Sequence, residues 1–181
     1  LELKDKLPLN AIVPECKKYF THYAIVEKIS TDPLNTEIYK EKRESLNLED
    51  LLEDITENGL NEPIEVWSDE PFTKAGNTRT GSMKLTQSVF EFIPCILGGE
   101  RKGLSDREIV DMLVGSNYYR EKKFSSKFRS VRIRENAAIE EGTRLTEEQI
   151  KRYCKTESML FDDYNKAAYL EIKQPKLFSK V

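Results

Sequence analysis

Apolar positions along this chain follow two periods, and the balance between them changes near residue 120. Leu48, Leu51, Leu52 and Ile55 fall at i, i+3, i+4 and i+7, one stripe of a helix. Asn47 is a good N-cap before them, and Glu49 and Asp50 sit in the first turn, where the helix dipole favours acids. Gly59 suits the position after the last turn, and Leu60 can fold back on the helix. The spacing therefore predicts a helix over 48–58. Ala24 to Ile29 alternates and predicts a strand. Pro63 to Trp67 reads as a short strand with proline tolerated at its first position, and Phe72 to Ala75 as its hairpin partner. Thr78 to about Gln87 reads as a helix and Phe90 to Leu97 as a strand. Ser105-Asp106-Arg107-Glu108 is a capping box opening a helix with Ile109, Met112 and Leu113 on one face. Thr31-Asp32-Pro33-Leu34-Asn35 reads as a turn.

After residue 120 only the helical period remains. One helix covers about 125–140 and ends near Gly142, Thr146-x-x-Gln149 caps a second, and a third spans about 158–171 before Pro175. On the first, Phe128, Val131 and Ile139 should face the core, and Lys127, Arg129, Arg132 and Arg134 should largely face out. Residues 1–23 show no clean period and are broken by Pro8 and Pro14. Strands alternating with helices, then helices alone, predict an α+β domain over 24–120: a mixed small sheet with packed helices. An N-terminal extension over 1–23 precedes it, and an all-α extension over 121–181 follows it.

Composition narrows the class. The chain has 181 residues, 34% of them charged, enough for one compact domain with an appendage or for two small domains. No apolar run approaches the roughly 20 residues that span a bilayer, so no membrane is expected as a partner. The first residues show no secretory pattern. There is no initiator Met, and the sequence reads as a piece of a longer protein. Cys16, Cys95 and Cys154 are odd in number and far apart, which fits unpaired thiols in a reducing cytosol. With His22 the only histidine, no zinc-ligand spacing exists, and no metal site is expected from the protein's own side chains.

Charge divides the chain in two. Residues 1–100 carry a net −8 and residues 101–181 a net +5. The densest stretch holds Arg120, Lys122, Lys123, Lys127, Arg129, Arg132 and Arg134 against Glu121 alone. Such a block points to a polyanion, and DNA is the expected partner. A solvated helix face balanced by Glu135, Glu140 and Glu141 is the plainer alternative.

Two segments could hold phosphate. Ala75-Gly76-Asn77-Thr78-Arg79 joins a predicted strand to a predicted helix, where free amides and the positive dipole end meet. Gly76 allows the turn, and Arg79 could add a charge-assisted bond. It is no Walker A loop, because Ser82 stands where Lys is required. The second segment is Ser116-Asn117-Tyr118-Tyr119-Arg120, where Asn117 could meet a phosphate or ribose and Arg120 a second phosphate.

These segments occur in order with Asp32-Pro33-Leu34-Asn35, Gly59-Leu60-Asn61-Glu62-Pro63-Ile64-Glu65-Val66 and Ile93-Pro94-Cys95-Ile96-Leu97. The set resembles the ParB/sulfiredoxin-like superfamily, above all the N-terminal domain of ParB partition proteins, sometimes termed the ParB-like nuclease domain. The match covers about residues 24–120. The resemblance implies a nucleoside triphosphate as ligand, CTP foremost, with Mg²⁺ as a candidate companion. Phosphates would meet Gly76, Asn77, Thr78, Arg79, Asn117 and Arg120, and the base would border the strand region of Gly59, Leu60, Pro63 and Ile64. Lys122, Lys123, Lys127, Arg129, Arg132 and Arg134 would bind nucleic acid, and Thr146 to Leu170 of the 121–181 extension could be the start of a helix-turn-helix unit. It also implies a cytoplasmic protein of prokaryotic, phage or plasmid origin, and a homodimer made through the helical extension or a region beyond this chain.

Departures limit what the resemblance carries. Asn77 and Thr78 replace the Glu and first Arg of a Gly-Glu-Arg-Arg-type phosphate motif. Ser116 replaces the Glu of a Glu-Asn-x-x-Arg-type motif that helps ParB proteins hold magnesium. Losing that carboxylate removes a hard oxygen ligand, which leaves binding open and puts hydrolysis in doubt. Asn77 also stands where the sulfiredoxin branch has its catalytic cysteine, so sulfinic-acid reduction is not expected. Three functions remain: a nucleotide-dependent DNA-binding module in partition or DNA modification, a metal-dependent nuclease or phosphotransferase on the same fold, and an interaction domain that has lost its ligand.

Overall fold

The computed structural model describes residues 2–39, 47–76, 79–80, 83–84, 89–116 and 122–174. The strands are β1 (Leu3–Lys4), β2 (His22–Ile25), β3 (Ser30–Thr31), β4 (Ile64–Val66), β5 (Phe72–Ala75) and β6 (Phe92–Leu97). The helices with complete bounds are α1 (Pro33–Ile38), α2 (Leu48–Asn58), α3 (Asp106–Ser116), α4 (Phe124–Glu140), α5 (Glu147–Thr156) and α6 (Phe161–Lys173). Residues 79, 80, 83 and 84 are also helical, in the stretch where a helix is predicted. The fold is α+β, a mixed sheet with helices and a helical C-terminal region, as the sequence pattern predicts.

Local chemistry sets several ends. The Asn47 side chain accepts from the Glu49 amide at 3.0 Å and opens α2, while Gly59, at φ 73°, closes it by donating to Ile55 O. Ser105 and Glu108 exchange their bonds at the start of α3, and Thr146 and Gln149 do so at the start of α5. These caps satisfy amides that a helix leaves without partners.

The chain forms two compact units, Leu1–Asp32 with Arg43–Gly103, and Pro33–Lys42 with Leu104–Val181. The boundaries expected at 23 and 120 do not coincide with these. Part of the stretch read as an extension supplies β1, whose Leu3 pairs with Ala24. Helix α3 packs on α4 in the second unit. The segment read as a turn at Thr31–Asn35 divides instead into the end of β3 and the start of α1, where Pro33, needing no amide partner, occupies the first helical position.

The first unit is one six-stranded sheet in the order β1-β2-β6-β4-β5-β3. β2 and β6 are antiparallel, β6 and β4 parallel, and β4 and β5 antiparallel. Ala24, Ile64, Val66, Ile93 and Cys95 meet Ile55, Leu60 and Met83 in its core. Pro94 lies inside β6, an interior strand, where proline removes a donor. Opposite β2 it faces Tyr23, and pairing with β4 begins only at Ile64 and Cys95.

A buried carboxylate organises the far end of this unit. Asp32, with no solvent exposure, accepts from Trp67 Nε1 at 2.9 Å and from Arg101 Nε at 2.8 Å. The amide of Arg101, and then that of Lys102, hold the Asp69 carboxyl below its ordinary range and fix the loop that carries Arg101. In the second unit, Phe128, Val131, Cys154, Met159, Tyr164 and Ala167 form a core. Two expected apolar positions point elsewhere: Ile139 is 55% and Met112 40% exposed, while Val110 and Val114 are buried beside Ile109 and Leu113.

Two outcomes follow. Arg101→Ala withdraws the cation from a carboxylate without solvent access and should cost about 3 kcal/mol, read by urea unfolding through Trp67 fluorescence. Burial pushes the Cys95 thiol up to about 12 and the Cys154 thiol up to about 11, so neither forms thiolate near neutral pH. Cys16, which is partly exposed, should be the thiol that a maleimide labels in the native protein. Mass spectrometry should find the other two labelled only after unfolding.

Candidate functional site

The predicted base-side strand and phosphate turn come together in the first unit. β5 ends at Ala75, and Gly76 turns the chain at φ 91°. A β-carbon on Gly76 would lie 2.6 Å from Ile64 Cγ2, so the turn presses directly on β4. Thr80, buried, donates its amide to Gly76 O at 3.2 Å as the helix begins.

Arg79 has a structural duty that sequence reading missed. Its Nη1 donates to Glu62 O at 3.0 Å and to Pro63 O at 3.2 Å. Those carbonyls precede the first residue of β4, where neither Pro63 nor Pro94 can supply an N–H. One nitrogen of the guanidinium thus closes the lip of the sheet. Among the described residues, Nε and Nη2 have no acceptor. The signal available in sequence was the pair of prolines, read only as strand markers.

Gly59 and Leu60 support the same lip from behind. A β-carbon on Gly59 would meet Glu15 O at 2.7 Å. Leu60 donates to Glu15 O at 2.7 Å and accepts from Lys17 N at 2.9 Å. Lys18 pairs with Glu62, and that hydrogen bond holds the Glu62 carboxyl below its ordinary range. Pro63 and Ile64 therefore lie beside Arg79 and Gly76, while Gly59 and Leu60 contact Glu15 and Lys17. Asn77, Thr78, Asn117 and Arg120 lie outside the described residues. Ser116 is described, and its hydroxyl donates back to Met112 O at 3.0 Å.

The basic run of the second unit is largely turned to internal duty, which corrects the outward face expected for it. Glu157, whose side chain has no exposure, accepts from Lys122 Nζ at 2.8 Å and from Ser130 Oγ at 2.6 Å. Arg134 is only 1% exposed; its Nε donates to Asp111 at 2.7 Å, and its Nη1 lies 3.7 Å from Glu157. Arg132 bonds Glu171 at 2.8 Å and Glu135 at 2.5 Å. Lys127 donates to Ser158 O and Arg129 to Ile38 O. A buried carboxylate in the turn after α5 draws cations inward, because leaving it unneutralised would be costly. Lys123 remains exposed at the start of α4. Burial, then the Glu135 carboxylate, pushes the Tyr164 phenol up from its ordinary value.

Among the described residues, no group of three or more His, Cys, Asp or Glu side chains is placed to hold a metal ion. No helix there is long and apolar enough to cross a membrane.

No protein-family model matches this chain, and no curated protein sequence matches it. Among solved structures, a Pnob8-like ParB-N domain matches with a TM-score of 0.53 and 17% identity, over 86% of this chain and 70% of that one. The chain has a ParB-N-like α+β fold. At that identity the likeness speaks for the fold alone.

Gly76→Ala tests the contact that shapes the turn. Its backbone strain and its overlap with Ile64 should destabilise the protein by about 2 kcal/mol or more, read by chemical denaturation.

Proposed function

We propose that this chain is a ParB-like module that binds a nucleoside triphosphate, CTP foremost, at the helix mouth after Gly76, and that it works on DNA. The carrying observation is Arg79. One of its nitrogens is anchored on the Glu62 and Pro63 carbonyls, while Nε and Nη2 keep donors without acceptors among the described residues. A guanidinium held this way is oriented before any ligand arrives, which lowers the entropy cost of gripping an anion. Gly76 adds close backbone approach beside the base-side residues Pro63 and Ile64. The ParB-N-like fold is consistent with this placement.

Binding without appreciable hydrolysis is the expected behaviour. Ser116 offers a hydroxyl already given to Met112 O, where the resembled motif has a carboxylate. A bound Mg²⁺ would rely on phosphate and water oxygens, a mode common for this ion. DNA contact would be electrostatic and would rest on exposed cations such as Lys123 rather than on Lys122 or Arg134.

Calorimetry with CTP, ATP, GTP and UTP in Mg²⁺ tests the reading. Saturable binding with CTP preferred, lost in Arg79→Ala that still folds, is expected, with no phosphate release. A folded sample giving no heat at millimolar concentrations of all four would end it. In gel shifts with duplex DNA, Lys123→Glu should weaken binding more than Arg134→Lys, and added salt should weaken it steeply.

A further inference from the structure

The helical unit contains a cavity that the nucleotide reading does not use. It has a volume of about 390 Å³ and is walled by Asp111 and Gly115 of α3, Arg134 of α4, and Gln149, Arg152 and Tyr153 of α5. That volume lies at the small end of ligand pockets. Gln149, Arg152 and Tyr153 stand at i, i+3 and i+4, so they share one face of α5.

The hydrogen bonds of this wall leave donors over. The Gln149 side-chain oxygen is taken by the Thr146 amide at 2.8 Å, which leaves its NH₂ group to donate. The Arg152 carbonyl is taken by the Thr156 hydroxyl at 3.1 Å. Asp111 provides the carboxylate in the lining, and it accepts from Arg134 Nε at 2.7 Å. The Arg152 guanidinium has no acceptor among the described residues. Arg134 Cζ lies over the Tyr153 ring, 4.8 Å from its centroid, and its Nη1 donates to Ser130 O at 3.1 Å. Arg134 is matched by Asp111 at 2.7 Å and Glu157 at 3.7 Å, so the unmatched donors of the wall are the Arg152 guanidinium and the Gln149 amide.

We propose that this cavity binds a compact oxyanion of the phosphate or pyrophosphate class, with Arg152 and the Gln149 amide as its principal donors and Arg134 at its floor. The geometry favours a small anion over a nucleic-acid backbone. Arg134 is 1% exposed, so only a ligand that enters the cavity can approach it, whereas a duplex meets exposed cations. The site is independent of Gly76 and Arg79, which belong to the other unit.

Titration of the full 181-residue chain with pyrophosphate, and separately with orthophosphate, tests this at constant ionic strength. Saturable heat is expected, with amide NMR shifts centred on Gly115 and residues 149–156. Arg152→Ala should weaken pyrophosphate by about tenfold, the scale of one charge-assisted hydrogen bond. A β-carbon on Gly115 would meet nothing within 4 Å, so Gly115→Leu should fold normally and fill the cavity, abolishing binding. If circular dichroism shows that variant unfolded, Gln149→Ala with Arg152→Ala carries the test. No saturable binding to the folded protein would overturn the proposal, as would binding untouched by the variants, shifts centred on Gly76 to Arg79, or displacement of pyrophosphate by a short DNA duplex.

Discussion

Two carbonyls at the entry to an interior strand, β4, shape the candidate site. Glu62 O and Pro63 O sit where a parallel ladder is about to begin, and prolines at 63 and 94 leave that place short of N–H groups. Glu62 is exposed and Pro63 half-buried, so water could also serve these carbonyls, but a side-chain donor holds them in a fixed place. The sheet meets the need with a side chain, Arg79, from the helix that follows Gly76. The same bond that completes the fold therefore fixes a cation at the helix mouth. Gly76 pressing on Ile64 locks the turn from the other side. In the proposed nucleotide site, structural need and ligand contact fall on one residue, so substitutions at Arg79 must be read for both.

The second unit is built around the opposite problem, an acid with no access to water. Glu157 follows α5 at the turn into α6, and Lys122, Ser130 and Arg134 converge on it. A stretch that looks like a basic stripe in sequence is thereby split. Among its described residues, Lys122 and Arg134 neutralise the interior, the half-buried Lys127, Arg129 and Arg132 bond neighbouring segments, and Lys123 is exposed. A buried network of this kind adds little net stability, because each ion has given up hydration. Ser158, at φ 52°, completes the turn that holds the acid in place.

What was legible in the sequence was local. The α2 stripe with Asn47 and Gly59, the two capping boxes and the strands at 64–66, 72–75 and 92–97 all depend on residues near one another in the chain. β1 and β3, two residues each, exist only because a distant strand pairs with them, and no periodic signal of that length can show it. α1 hid behind Asp32-Pro33, where the proline that suggests a turn is equally suited to begin a helix. The direction of Arg134 was not legible, because its carboxylate partners lie on α3 and in the turn after α5. Of the candidate site, the glycines and Arg79 were foreseen by type, but the duty of Arg79 depends on where β4 meets β6.

The chain passes between its two units at three places, after Asp32, after Lys42 and after Gly103. Neither unit is a continuous stretch, so trimming one end cannot isolate either. A fragment stopping at residue 103 would retain α1, whose buried Leu34 and Ile38 lie on a helix that packs on α3 and α4, but would lack both of those helices. Shortened versions cut there should be sticky and poorly behaved for a topological reason, whatever the intrinsic soundness of the sheet.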